Sequence, residues 1–153
     1  MTKMDYKNFI EKGWLKEEKI DFDQIISVLE KAYKKIKSAK TLIKDNDSED
    51  GFQLAYESML LSGRALVFSH GFRPRAAGSH KIVVDFCSLA FGEEYKELIY
   101  RFDKMRKNRN YLIYGMNLSL SKNEAENAIK TAEEFIKKIK ELIQKKNPQK
   151  KLI

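Results

Sequence analysis

The segment Arg101-Phe-Asp-Lys-Met-Arg-Lys-Asn-Arg-Asn-Tyr-Leu-Ile-Tyr-Gly115 gathers the side chains of this sequence best able to do chemistry. Arg106 falls four residues after Phe102, and Arg109 falls four after Met105 and seven after Phe102, so both guanidinium groups emerge on or near a helical stripe that otherwise reads as core. A buried, unpaired charge is costly, so each arginine must meet a carboxylate, reach water, or line a cleft or subunit interface. Two outcomes stay open: ion pairs with acids of neighbouring helices, or a site that receives an anion. Asn110 adds an amide beside Arg109, and Tyr114 follows it at the i, i+4 spacing with Gly115 just beyond to end the helix. Arg109 and Tyr114 lie about 140° apart on an ideal helix, so their convergence requires a distorted terminus or a second subunit.

Little else in the chain offers reactive chemistry. Two His and one Cys are too few for a zinc site of ordinary composition, and Gly-rich phosphate loops, nucleophile elbows and dinucleotide fingerprints are missing. No metal and no cofactor are therefore expected. Glu57, inside an otherwise apolar segment, is a candidate acid for a cleft arginine. Arg64 and Arg73 read as solvated or structural, and His70 and His80 as loop-capping or packing residues.

The elements that must position these groups read as helices. Residues 22–43 carry Phe22, Ile25, Ile26, Leu29, Ala32, Tyr33, Ile36, Ala39 and Ile43 at threes and fours, an amphipathic stripe. The polar run 46–50 breaks it, with Ser48 as the expected N-cap of a second helix from about 51 to 70. That helix is apolar almost all round from Leu54 to Phe68, which predicts the central position. Gly71, Pro74 and Gly78 punctuate a loop, and Ser79 is placed to cap a short helix ending near Gly92. Glu93 and Glu94 open the helix that carries the arginines. Ser121-Lys-Asn-Glu124 fits a capping box, and the last helix runs from there to a stop at Pro148. Tyr33, Tyr95, Phe102 and Phe135 are assigned to the core, and residues 5–15 to a short helix packed on the bundle or a partner.

The sum is an all-α, up-and-down antiparallel bundle of four main helices plus short additions. Residues 1–20 read as an N-terminal helical extension, 21–146 as the bundle and 147–153 as a basic tail. With 153 residues, 7 Gly and 2 Pro, the chain is one domain's length and poor in turn formers, which disfavours a many-stranded sandwich or barrel. Thirty Lys and Arg against 22 Asp and Glu give a net charge of +8, a balance that suits nucleic acid but also an ion-paired helical surface. The lone Cys87 excludes an internal disulfide, no apolar run approaches a membrane span, and residues 1–6 lack an apolar signal core, so a cytoplasmic protein without membrane contact is expected.

Two stretches resemble the HEPN domains (higher eukaryotes and prokaryotes nucleotide-binding), small helical bundles that act as RNA-cleaving toxins or RNA-binding modules. Residues 55–74, with a Tyr-rich start, an Arg-Ala-Leu core and a Gly-x-x-Pro turn, resemble the family's central helix and following loop, in which His80 fits a common His. Arg109-Asn-Tyr-Leu-Ile-Tyr114 is similar to the family's Arg-Asn-x-x-x-His signature except at its last position, and the likeness spans roughly residues 21–144. The resemblance implies a homodimer in which Arg109 stabilises a developing phosphorane, Asn110 orients the site and the proton-transfer position falls on Tyr114. A phenol with a pKa of about 10 is only roughly 0.1% ionised at pH 7 and makes a poor base. Family toxins paired with a minimal nucleotidyltransferase carry a Tyr two residues after the His; here that position is Met116. The expected function is therefore binding of RNA or a nucleotide by Arg106, Arg109, Asn110 and Tyr114, with catalysis weak or absent and a nucleotidyltransferase as a possible partner. The alternative is a metal-independent endoribonuclease toxin using Arg109 and Tyr114.

Overall fold

A computed structural model describes residues 5–75, 79–115 and 119–147. Helix α1 (Tyr6–Glu11) leads into strand β1 (Leu15–Glu17), followed by α2 (Phe22–Lys44), α3 (Ser48–Ser69), strand β2 (Phe72–Pro74), α4 (His80–Phe91), a 3-10 turn (Glu93–Tyr95), α5 (Lys96–Ile113) and α6 (Lys122–Lys146). Helix α3 packs against α2, α4, α5 and α6, as its nearly all-round apolar sequence requires. Its residues Ala55, Tyr56, Met59, Ala65, Leu66 and Val67 are fully buried, and the single core continues into Ile25, Phe86, Phe102 and Phe135 from the surrounding helices.

Helix ends follow local capping chemistry with three departures from expectation, one being Ser79, which holds the N-cap position of α4 but makes no side-chain capping hydrogen bond. The Asp21 carboxylate accepts from the Asp23 and Gln24 amides at 3.1 and 3.2 Å to start α2. Asp47, not Ser48, caps α3, its carboxylate accepting from the Asp50 amide at 3.3 Å; the acid is the stronger acceptor and Ser48 is drawn into the first turn. At α6 the Ser121 hydroxyl accepts from the Glu124 amide at 3.1 Å, and the Glu124 carboxylate accepts from that hydroxyl at 3.2 Å where a full capping box would engage the Ser121 backbone. Pro148, assigned as the stop of the last helix, lies outside the described residues, as do Gly78 and Met116.

The N-terminal segment holds more than a helix. β1 pairs antiparallel with β2, Leu15 opposite Pro74, Lys16 opposite Arg73 and Glu17 opposite Phe72. Phe9 and Leu15 are fully buried, so this corner is continuous with the main core. Three-residue strands are too short to show the two-residue alternation by which strands are read, and the sequence reading accordingly placed only a helix and a loop here. Tyr33, assigned to the core, is 38% exposed with Lys140 over its ring, because its neighbours Ala32 and Ile36 occupy the inward face. Tyr95 is half-buried against Phe91, while Phe102 and Phe135 are in the core at 4.6 Å between ring centroids.

The close approach of α4 to α3 matters for the site. A Cβ at Gly63 would stand 2.6 Å from Val83 Cγ1 and 3.2 Å from Cys87 Sγ, so only glycine lets α4 settle this deeply on the central helix. His80, the first residue of α4, is thereby held beside Tyr56 of α3.

Candidate functional site

The segment 101–115 forms most of α5, and its polar residues separate into different environments. Arg101 leaves the arginine stripe for α6, its Nη1 donating to the Thr131 hydroxyl at 3.1 Å and its Nη2 meeting the Glu134 carboxylate at 3.2 Å. Arg106 is 17% exposed and its Nε donates to Asp103 Oδ1 at 2.8 Å, a pair one turn apart on the same helix. The two structural possibilities for Arg106 and Arg109 thus resolve differently. Arg106 is paired by its own helix, where pairing by acids of neighbouring helices had been the sequence-based option.

Arg109 has no such partner. Its Nη1 donates to Asn110 Oδ1 over 3.4 Å, a weak contact, and its Nε is buried with no hydrogen-bond acceptor among the described residues. Nor does any described carboxylate form an ion pair with it. Glu57, the acid proposed for a cleft arginine, is instead 3.2 Å from Lys35 Nζ on α2, because its place on α3 turns it toward that helix. Tyr114 caps the C-terminal end of α5 and is 79% exposed, leaving it outside the half-buried surroundings of Arg109, as the wide angle between them on a regular helix demands. Within one chain the four sequence-selected residues are therefore not brought to one point: Arg106, Arg109 and Asn110 are partly buried, and Tyr114 projects into solvent.

What the structure adds is a polar pair that the sequence reading left as packing. The Tyr56 hydroxyl and His80 Nδ1 are 2.9 Å apart, and the Tyr56 ring lies against both His80 and Phe102, at 5.8 Å between centroids in each case. Phe102 is on the helical face to which Arg106 and Arg109 return. The start of α4 is tied to the same place, since Lys81 Nζ lies 4.0 Å from the Asp103 Oδ1 that binds Arg106. Lys107 contributes a third cation to this carboxylate at 3.5 Å. Burial alone would raise Asp103, but the Arg106 hydrogen bond and the charges of Lys81, Arg106 and Lys107 hold it below the ordinary carboxylate range.

The cluster carries more positive charge than Asp103, shared by Arg106, Lys81 and Lys107, and Asp85, 3.0 Å from Lys81, offset. Burial pushes the Tyr56 phenol well above its usual range, with Arg109, Arg106 and Arg64 working in the opposite sense. Burial, then Arg109, Arg64 and Arg106, depress His80 below its ordinary value, so its imidazole is neutral at pH 7. Arg64, assigned as solvated or structural, is half-buried and forms no ion pair among the described residues. The signal for this group was present as Tyr56 and Arg64 within an apolar helix, but its joining to His80 depends on how α4 crosses α3. His70 is a packing residue, between Tyr6 and Phe86 at 4.8 and 5.1 Å, and Arg73 is an exposed strand residue 3.8 Å from Glu18. Among the described residues no three His, Cys, Asp or Glu side chains are grouped as a metal ion requires, and no helix is long and apolar enough to cross a membrane.

The chain is thus a helical bundle in which Arg106 of α5 is paired with Asp103, while Arg64 of α3 and Arg109 of α5 form no ion pair among the described residues. Residues 26–142 match the HEPN domain family, well over half of the chain, and the protein belongs to that family. Membership carries a nucleotide- or RNA-related function. No curated protein matches the sequence at a significant level.

Proposed function

We propose that the protein binds RNA or a nucleotide through Arg106, Arg109 and Asn110 of α5 together with Tyr114 from a second copy, as a homodimer in which catalysis is weak or absent. The observation that carries this reading is the half-buried Arg109 guanidinium, whose Nε is without an acceptor and which no described carboxylate neutralises. Phosphate oxygens satisfy both deficits at once, supplying charge and acceptors to the planar fork of the guanidinium. The exposed Tyr111 and Tyr114 at the end of the same helix offer rings for base stacking. The net charge of +8 favours association with a polyanion.

Weak catalysis follows from the phenol that stands where the family signature has an imidazole. A second copy is the means of bringing Tyr114 to Arg109, given their separation within one chain. A minimal nucleotidyltransferase partner and a cytoplasmic location belong to this reading as extensions of it.

The test is fluorescence anisotropy with a labelled single-stranded RNA in the presence of EDTA. Arg109→Ala is expected to weaken binding at least about tenfold, the scale of one lost charge-assisted hydrogen bond, with the RNA intact throughout. An unchanged affinity overturns the assignment of this site. RNA cleavage by the unaltered chain that disappears in Arg109→Ala moves the protein to the endoribonuclease reading.

A further inference from the structure

We propose that the outward face of α5 is a track for single-stranded RNA, on which Tyr100 and Tyr111 stack bases while Lys96, Lys104 and Lys107 hold phosphates. This rests on RNA as the ligand proposed above and adds a second contact surface, on the side of the helix away from Arg109.

Spacing defines the track. Lys96 stands four residues before Tyr100, and Lys104, Lys107 and Tyr111 stand four, seven and eleven after it, offsets that all return to within about 40° of one line along the helix. All five side chains are exposed, Tyr100 by 61% and Tyr111 by 43%. The buried Leu98, Phe102 and Met105 lie on the opposite side, and Arg109 falls about 180° from Tyr100, so the stripe is separate from the half-buried arginines. The helix therefore presents a core face and, turned away from it, a face of rings interleaved with cations.

The cations of that face are available. Lys96 and Lys104 form no ion pair among the described residues, and Lys107, 61% exposed, meets Asp103 over 3.5 Å, a surface pair worth little in solvent. Over its length α5 carries six Lys and Arg against two acids, Glu97 and Asp103, and Arg106 already engages Asp103, so the field along the stripe is positive.

Three occupants differ in what they offer this face. A second copy laid stripe against stripe, parallel or antiparallel, sets lysine against lysine at its centre, a like-charge juxtaposition that opposes association. A duplex supplies phosphates but keeps its base faces stacked on one another, leaving the tyrosine rings without a partner. A single strand supplies both charge and free base faces. Tyr100 and Tyr111 are about 17 Å apart along the axis, the length of about five stacked nucleotides at roughly 3.4 Å each, so bases on the two rings enclose phosphates within reach of the lysines between them. Beside Lys104 the surface also sinks into a cleft of about 200 Å³, lined from α3, α5 and α6 by Phe52, Met105, Asn108 and Asn127 among others. Amide donors and acceptors next to apolar side chains suit a base turned out of the stack.

The experiment is fluorescence anisotropy of a short labelled oligoadenylate with the full chain, circular dichroism verifying the fold of each variant. Tyr100→Leu and Tyr111→Leu should each weaken binding about fivefold or more, the lower end of the loss of one base stack, and Tyr100→Phe and Tyr111→Phe should retain it. Lys104→Gln should reduce the slope of log affinity against log salt by about 0.7, the signature of one phosphate contact on a single strand. Unchanged affinity in both leucine variants overturns the track, and if Arg109→Ala still weakens binding, the site proposed above stands without it. Weaker binding in the leucine variants with full affinity in Arg109→Ala supports the track and removes the Arg109 site. Leucine variants that keep full RNA affinity but convert a dimer to a monomer in sedimentation identify the stripe as a contact between copies and overturn the track. An oligoadenylate that does not bind the unaltered chain overturns both.

Discussion

Two arginines one helical turn apart on α5 face different electrostatic problems. Arg106 shares Asp103 with Lys81 and Lys107, so one carboxylate serves three cations, and among the described residues Arg109 has only the amide oxygen of Asn110 at 3.4 Å. The sequence reading looked to acids of neighbouring helices, yet Asp103, three residues before Arg106, takes the guanidinium because local pairing at that spacing requires no tertiary geometry. The histidines differ in a testable way as well. Burial among Tyr6 and Phe86, aided by Lys146, lowers His70 to about 4. Its unfolded-state value is near 6.5, so between those limits the unfolded chain binds a proton that the folded chain refuses, and stability falls as pH drops through that window. Thermal melts from pH 7 to pH 5 should therefore show a smaller loss of Tm in His70→Gln than in the unaltered chain. Identical slopes would remove His70 as the source of the dependence.

The site depends on how elements cross more than on any one element's sequence. Gly63 has no Cβ to hold Val83 and Cys87 away, and that contact lies along the same α3–α4 junction as the Tyr56–His80 pair. Gly63→Ala places a methyl 2.6 Å from Val83 Cγ1, and the resulting overpacking should cost about 1–3 kcal/mol by chemical denaturation. It should also weaken RNA binding beyond that loss of stability, since a displaced α4 moves Lys81 away from the Asp103 that holds Arg106. A variant of unaltered stability and affinity would show that α4 can shift without consequence for the site. The long helices α2, α3, α5 and α6 were legible because their three- and four-residue spacings run for many turns. The β1–β2 ladder was not, at three residues a strand, and neither was the Tyr56–His80 hydrogen bond, whose partners are 24 residues apart and meet only through packing.

Across the whole molecule, the surplus of eight positive charges is not spread evenly in its consequences. Ion pairs such as Lys40 with Glu133 and Lys35 with Glu57 engage exposed or half-exposed cations on the outer helices, where solvent makes each pair worth little. At the α3, α4 and α5 junction Arg64, Arg106 and Arg109 are half-buried, so an anion bound there gains more than it would on the open surface. Exposed Tyr100, Tyr111, Ile113 and Tyr114 also lie on or at the end of α5, aromatic and apolar surface suited to bases or to a second copy. The most direct measurement is the arginine side-chain proton–nitrogen NMR spectrum of the full chain during titration with single-stranded RNA, with the Arg109 Nε signal assigned by its loss in Arg109→Lys. A large shift of that signal, saturating together with RNA binding, is the predicted result. An Arg109 Nε signal that stays in place while the RNA binds would contradict the account.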